Sequence, residues 1–109
     1  PVAFNFEDGD EITVGKTTWK VMLTPGHTPG SICFLCTQGT KPGAPVLLSG
    51  DTLFYGATGR TDFPGGSMDD MRRSLRKLGK LSDDVLVLPG HEQFTTIGAE
   101  RKRVIEFFQ

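Results

Sequence analysis

Two histidines and one aspartate stand at matching places in this 109-residue chain. In "VMLTPGHTPGS", His27 follows an apolar run and a Pro-Gly pair, and "VLVLPGHE" repeats that arrangement for His91. In "PVLLSGDTLF", Asp51 follows an apolar run and a single glycine. Imidazole nitrogens and carboxylate oxygens are the donors that zinc or ferrous iron accepts in proteins. The pattern therefore predicts a metal site formed by His27, Asp51 and His91.

Rigid secondary-structure elements must position the three candidate ligands. Ligand sites in layered α/β folds collect where strands end, because the sheet fixes each loop while its side chains project freely. A glycine before each ligand permits close backbone approach, and Pro25 and Pro89 restrict the backbone before each histidine. We therefore expect each ligand to follow a β-strand directly or within a tight turn.

Hydrophobic periodicity predicts the strands. Alternating apolar residues indicate two strands joined by a turn at Gly15–Lys16, whereas short continuous apolar runs indicate strands buried on both faces. "GTKPGAP" has the composition of a loop between strands. The predicted strands are Ile12–Val14, Trp19–Leu23, residues 31–37, Val46–Ser49 and Val85–Leu88.

Two helices are predicted after a long Gly-, Thr- and Pro-rich loop, Tyr55–Gly66. The first begins at an N-cap, Ser67, and ends at Gly79; the second is capped by Thr95 or Thr96. Helical spacing assigns a buried stripe to the first helix (Met68, Met71, Leu75, Leu78) and apolar positions to the second (Ile97, Val104, Ile105, Phe108). The order of elements predicts a mixed α/β or α+β fold.

Length and composition favour one globular domain. The chain is 37% hydrophobic and 23% charged, and its net charge of -1 gives no general attraction to nucleic acid or an anionic membrane. No apolar stretch approaches the ~18 residues of a membrane span, and no leader pattern is present. The expected location is therefore the cytoplasm. A basic run within Arg72–Lys80 is interpreted as a solvated helix face.

The two cysteines, Cys33 and Cys36, lie three residues apart in a predicted strand. Residues three apart on a strand point to opposite faces, so these thiols cannot readily share a metal or a disulfide. We expect two buried or half-buried free thiols.

Four motifs, "TPGHTPGS", "LLSGDTLF", "GRTDFPGG" and "VLPGHE..TTIGAE", resemble in order and spacing the C-terminal half of the metallo-β-lactamase fold. The nearest branch is the hydrolases that are similar to glyoxalase II, which act on hydroxyacylglutathione. The resemblance implies half of a four-layer αββα sandwich of two β-sheets flanked by helices. It also implies two zinc ions per complete domain, with iron or manganese as alternatives.

The resemblance assigns roles to the predicted ligands. His27 is similar to the third histidine of the first metal site, Asp51 to the carboxylate that bridges both metals, and His91 to the last ligand of the second site. Metal-activated water would attack a thioester or ester carbonyl, with Asp51 as the catalytic residue that orients it. In similar proteins the next loop lines the pocket, so Tyr55 and Arg60 are candidate substrate-binding residues. For Arg60, a loop-anchoring contact with Asp62 is the preferred interpretation.

One family motif, H-x-H-x-D-H, is missing, and His27 and His91 are the only histidines that could replace it. We therefore expect residues 1–109 to form a single partial domain, a fragment whose missing N-terminal half completes the site. Alone, the chain should be inactive, lack a full metal complement and expose an apolar sheet face that promotes self-association. A small-molecule thioester or ester is the expected substrate.

Two other hypotheses remain open. "GRTDF" also resembles sulfur dioxygenases of this fold, which use one iron held by two histidines and a carboxylate; His27 and Asp51 would then be ligands, and His91 would not. Alternatively, the chain is a non-catalytic binding or assembly module that retains His27, Asp51 and His91 as relics.

Overall fold

The computed structural model describes residues 6–38, 45–90 and 93–108, which form one mixed β-sheet with helices on one face. The strand order in the six-stranded sheet is β1-β2-β3-β4-β7-β8, and β5 and β6 form a separate hairpin. The strands are β1 Glu11–Val14, β2 Thr17–Leu23, β3 Ile32–Gln38, β4 Val46–Gly50, β5 Leu53–Phe54, β6 Ala57–Thr58, β7 Leu86–Pro89 and β8 Thr95–Thr96. Helix α1 is Met68–Leu78; α2, Ile97–Glu100, continues as a π-helical segment, Arg101–Ile105, and a 3-10 turn, Glu106–Phe108. The predicted mixed α/β class and the main strands are confirmed.

The direction of the strands decides where the loops meet. Strand β2 is antiparallel to β3, β3 is antiparallel to β4, and β4 is parallel to β7. Two successive reversals leave β2, β4 and β7 running in the same direction. Their C-terminal ends therefore share one edge of the sheet, although β3 separates β2 from β4.

The hydrophobic core lies between the sheet and the helices. Alternate residues of the four central strands point to the helical side, where they pack with buried side chains of α1 and of the C-terminal segment. The core comprises Met22, Cys33, Leu35, Leu47 and Val87 of the sheet, with Leu53, Met71, Leu75, Leu78, Val85, Ile97, Val104 and Ile105.

The opposite face of the sheet is also hydrophobic, and the described residues cover it only in part. A groove on this face is lined by Ile12, Val14, Trp19, Phe34 and Leu48. Val14 is 61% exposed and Leu48 is 37% exposed. The prediction that the fourth strand is buried on both faces is therefore wrong for this chain, because no described element packs over Leu48.

Helix α1 begins as predicted. Ser67 is its N-cap, and the Ser67 hydroxyl accepts a hydrogen bond from the backbone N–H of Asp70. The predicted buried stripe is wrong at one end, because Met68 is 37% exposed and Ser74 is buried instead. Helical spacing predicts which face of α1 is apolar but not how far the core extends along it, so spacing alone misplaces Met68.

The cysteine prediction is confirmed. Cys33 and Cys36 are both fully buried, and neither forms a disulfide. Cys33 belongs to the core on the helical side, while Cys36 points to the other face of β3. Burial raises the pKa of the Cys33 thiol, so the protein disfavours its thiolate.

The C-terminal segment begins at Thr96, whose hydroxyl accepts from the N–H of Ala99, but only four residues are α-helical. The predicted loop at 39–44 and the side chain of Phe108 lie outside the described residues. Within the described part of the chain, no helix is long and apolar enough to cross a membrane.

Candidate metal centre

The shared sheet edge brings two of the three predicted ligands together. His27 lies in the turn after β2, and Asp51 follows β4 directly. His91 lies outside the described residues, but the preceding Gly90 donates its N–H to the carbonyl of Gly50 at 3.0 Å. The end of β7 therefore lies beside the residue that precedes Asp51, and a metal-binding role for His91 stays a prediction.

The turn before His27 is held by helix α1. The backbone N–H of Ser67 donates to the carbonyl of Gly26 at 2.8 Å, and the Ser74 hydroxyl donates to the carbonyl of Pro25 at 2.7 Å. Gly26 has a φ of 149°, and a Cβ there would lie 2.7 Å from the Cα of Met71. Only glycine permits this backbone shape and this close approach. The helix thereby positions His27.

The two nitrogens of the His27 imidazole have different surroundings. Nδ1 lies 2.7 Å from the carbonyl oxygen of Arg60, which can only accept, so Nδ1 carries the proton. In the neutral imidazole, Nε2 then has the free lone pair, and this atom lies 3.7 Å from Oδ2 of Asp51. A backbone carbonyl that orients the remote nitrogen is a common arrangement for histidines that bind metals.

The separation of these donor atoms fits a shared metal. Two donors that bind one zinc ion at ~2.1 Å with a near-tetrahedral angle lie roughly 3.4 Å apart, close to the 3.7 Å observed. His27 and Asp51 face a cavity of about 290 Å³ that Phe54, Thr58, Gly59 and Arg60 also line. Among the described residues, however, no group of three or more His, Cys, Asp or Glu side chains could hold a metal ion.

Gly59 permits the loop that follows Asp51 to fold back over the site. A Cβ at this position would lie only 1.9 Å from the carbonyl oxygen of Asp51 and 3.1 Å from Cγ of His27. The absence of a side chain at Gly59 therefore allows the next residue, Arg60, to bring its carbonyl to the imidazole.

A buried pair of threonines joins the two ligand loops, and sequence reasoning missed it. The Oγ1 atoms of Thr24 and Thr52 lie 3.0 Å apart, and both side chains are buried. Thr52 adjoins Asp51, and Thr24 begins the turn that carries His27. The available signal was a threonine in each motif, "LTPGH" and "SGDT".

Arg60 makes the predicted contact with Asp62. Its guanidinium donates to both carboxylate oxygens of Asp62, at 3.0 and 2.8 Å, and lies 4.2 Å from the ring centroid of Phe63. This hydrogen bond holds the pKa of Asp62 below its ordinary value. Both side chains are exposed, so the pair shapes the surface of the loop; a contact between Arg60 and substrate stays a prediction.

Tyr55 is placed differently from Arg60. It is not among the residues that line the cavity, and its ring lies beneath the guanidinium of Arg103, 4.2 Å from the centroid. Phe54 and Thr58, on the two strands of the β5–β6 hairpin, line the cavity instead. Alternation along "LFYGAT" could have identified them, had the stretch been interpreted as a hairpin instead of a loop.

Comparison with known protein families identifies the fold. The profile of the metallo-beta-lactamase superfamily matches residues 1–91 of the 109. The chain belongs to the metallo-beta-lactamase superfamily. The resemblance inferred from its motifs is thereby confirmed.

The proteins that are similar to this chain include a named hydrolase. An uncharacterized protein of Mycobacterium leprae is 51% identical over 96 residues, which cover 87% of this chain and 42% of the relative. Hydroxyacylglutathione hydrolase GloC of Haemophilus influenzae is 38% identical over 97 residues, with 88% and 43% coverage. The chain thus spans less than half the length of these curated relatives.

Among solved structures, the di-iron-bound form of TTHA1623 superimposes with a TM-score of 0.73 at 32% identity. The match covers 94% of this chain and 48% of that protein. Metal binding therefore occurs in a relative that shares this part of the fold.

Proposed function

We propose that this chain is part of a metal-dependent hydrolase of thioesters or esters, similar to glyoxalase II. The observation that carries this proposal is the His27–Asp51 pair: Nδ1 of His27 bonds to a backbone carbonyl, while Nε2 lies 3.7 Å from the Asp51 carboxylate. Such a pair, at strand ends on one edge of the sheet, is suited to bind metal. The relationship to hydroxyacylglutathione hydrolase supports the reaction class.

In this proposal His27, Asp51 and His91 are the metal ligands that the chain contributes. Two zinc ions per complete domain are the preferred occupants, with iron or manganese as alternatives, and the di-iron form of TTHA1623 supports a two-metal site. When bound, the metals supply an activated water and polarise the substrate carbonyl. Asp51 binds metal and orients the attacking water, while the Arg60 carbonyl keeps His27 in its binding tautomer.

The cavity beside the pair is the proposed substrate pocket. Phe54 and Thr58 form part of its wall next to His27 and Asp51, and Arg60 lies at its margin with an exposed guanidinium. Hydroxyacylglutathione carries carboxylates that Arg60 could bind in competition with Asp62. Tyr55 supports the hairpin that carries Phe54 and remains a secondary candidate for substrate contact.

The proposed partner of this chain is the remaining part of the same domain. The open sheet face around Trp19 and Leu48 is apolar enough to require a cover in water, and relatives are more than twice as long. That remainder would also bring the ligands that this chain lacks. Cytoplasmic location and the absence of nucleic-acid or membrane partners stay predictions.

The decisive experiment uses the full-length protein that contains this chain. Bound metal is quantified by mass spectrometry, and hydrolysis of S-lactoylglutathione is followed for wild type and for His27→Ala, Asp51→Ala and His91→Ala. We expect thioester cleavage by the wild type, with activity reduced at least about 100-fold and metal content reduced in each variant. Asp69→Asn, an exposed helix carboxylate, is the matched control and should resemble wild type. Full activity of Asp51→Ala would contradict the proposal.

The same variants test a second function, a mononuclear-iron sulfur dioxygenase. The observation in its favour is "GRTDF", residues 59–63, which also resembles the corresponding stretch of sulfur dioxygenases of this fold. This alternative predicts one iron per chain, oxygen uptake with a persulfide, and full metal content in His91→Ala. Unchanged metal content in all three variants would instead favour a non-catalytic module.

A further inference from the structure

One buried carboxylate outside the metal site contacts both the β5–β6 hairpin, which follows Asp51, and strand β8. Glu100, the last residue of α2, is fully buried. Its Oε1 accepts the backbone N–H of Gly56 at 2.8 Å, five residues after Asp51. Its Oε2 accepts the hydroxyl of Thr95 at 2.5 Å, four residues after His91. A carboxylate removed from water needs such donors to offset its lost hydration.

A third donor connects Glu100 to the hairpin by a second path. The guanidinium of Arg103 donates to Oε2 of Glu100 at 2.8 Å and lies 4.2 Å from the ring centroid of Tyr55. Tyr55 and Gly56 form the turn between β5 and β6. Glu100 and Arg103 therefore hold this turn against the C-terminal helix by a backbone contact and a ring contact.

The hairpin leads directly to the metal site. Strand β6 ends at Thr58; Gly59 then passes over Asp51, and the carbonyl of Arg60 orients the His27 imidazole. A shift of the hairpin relative to the helix would move that carbonyl.

We infer that Glu100 is a positioning residue that holds the β5–β6 hairpin, and through it the Arg60 carbonyl that orients His27, and thereby tunes the affinity of the metal centre. This inference rests on the proposed function, because it concerns the same ligands. Groups that orient metal ligands from outside the coordination shell affect metal affinity by roughly 10- to 100-fold. Since Glu100 acts through the backbone, we expect an effect near the lower limit, about tenfold.

The test compares four forms of the full-length protein: wild type, Glu100→Gln, Thr95→Val and Glu106→Gln. Glu100→Gln keeps the side-chain size but removes the charge and directs an N–H group at one of the donors. Thr95→Val removes only the hydroxyl donor. Glu106 is an exposed carboxylate in the 3-10 turn and is the matched control. The measurements are zinc affinity by chelator competition, the absorption spectrum of the cobalt-substituted protein, and the melting temperature of the metal-free protein.

We expect Glu100→Gln to weaken zinc binding about tenfold and to alter the cobalt spectrum. Thr95→Val should have both effects to a smaller degree. Glu106→Gln should match wild type. A Glu100→Gln protein that melts earlier but has wild-type affinity and spectrum would show a purely structural role and overturn the inference. If Glu100→Gln does not fold, unchanged affinity in Thr95→Val overturns it. Failure of the wild type to bind metal would refute the proposed function as well, so the two failures are distinguishable.

Discussion

At the residue scale, the candidate site depends on side chains that are small or absent as much as on its ligands. His27 and Asp51 supply donor atoms, but Gly26 allows helix α1 to approach the His27 turn, and Gly59 allows the loop to cross Asp51. The Arg60 carbonyl then reaches the imidazole at 2.7 Å. The geometry of these two candidate ligands is thus a result of close backbone packing.

Gly59→Ala tests this packing. The new methyl group would meet the backbone carbonyl of Asp51, which cannot rotate away as a side chain can, so the loop must shift. We expect a destabilisation of about 1–3 kcal/mol and a clear loss of metal affinity in the full-length protein. Thermal unfolding and metal titration are the measurements. Gly30→Ala is the matched control, because a Cβ there meets nothing within 4 Å. Equal behaviour of the two variants would refute the argument.

At the element scale, hydrogen bonds hold helix α1 against the end of β2 and against the turn that follows it. Ser67 and Ser74 bond to the turn itself, and Lys77 donates to the carbonyl of Leu23 at 2.9 Å and to Asp8 at 2.6 Å. Asp8 also accepts the N–H of Leu23 at 2.8 Å. These contacts set where β2 ends and therefore where His27 begins its turn.

The pH dependence of the stability lost in Asp8→Asn tests the contact between Asp8 and Lys77. The hydrogen bond from Lys77 is the main cause that lowers the pKa of Asp8 below its ordinary value of 3.8. Because the folded pKa is the lower one, this contribution to stability is fully present above pH 3.8 and is lost as the pH falls through the folded pKa. Asp8 is half exposed, so we expect only about 0.5 kcal/mol at neutral pH.

Melting temperatures of wild type and Asp8→Asn, recorded from pH 2.5 to 7, are the measurement. The difference between them should shrink below pH 3.8. Lys77→Met should give a similar loss at neutral pH, and Asp8→Asn should add little to it. A difference that stays constant with pH would rule out the ionised Asp8–Lys77 contact as its source.

At the scale of the whole molecule, the sheet is apolar on both faces, whereas the helices that the structure describes cover only one. The open groove from Ile12 to Leu48 resembles a sheet interior more than a protein surface. An apolar area of this kind favours association in water. We therefore expect purified residues 1–109 to self-associate as their concentration rises, until the rest of the domain covers this face.

Leu48→Lys tests which surface drives association. Placing a charge in the centre of the groove should weaken self-association about tenfold, equivalent to ~1.4 kcal/mol, measured by sedimentation velocity over a concentration series. Phe94→Lys is the control, since Phe94 is 64% exposed but does not line the groove. A monomeric wild-type chain at high concentration, or an equal effect of both substitutions, would contradict the expectation.

The sequence by itself determined the local features of this protein. The strands around Val21, Phe34 and Leu47, the N-cap at Ser67 and the pairing of glycine with each candidate ligand follow from short-range periodicity and turn chemistry. These signals are readable because each depends on neighbours within about one turn or one strand. The candidate ligands His27 and Asp51 were found in this way.

Only the tertiary structure decided which distant residues meet. The shared direction of β2, β4 and β7, the Thr24–Thr52 contact and the position of Glu100 join segments 28 to 44 residues apart. The exposure of Met68 and Leu48 likewise depends on what packs over them. Strand order and burial arise from long-range packing, which local periodicity does not encode. The sequence therefore identified the candidate ligands, and the fold determined what holds them.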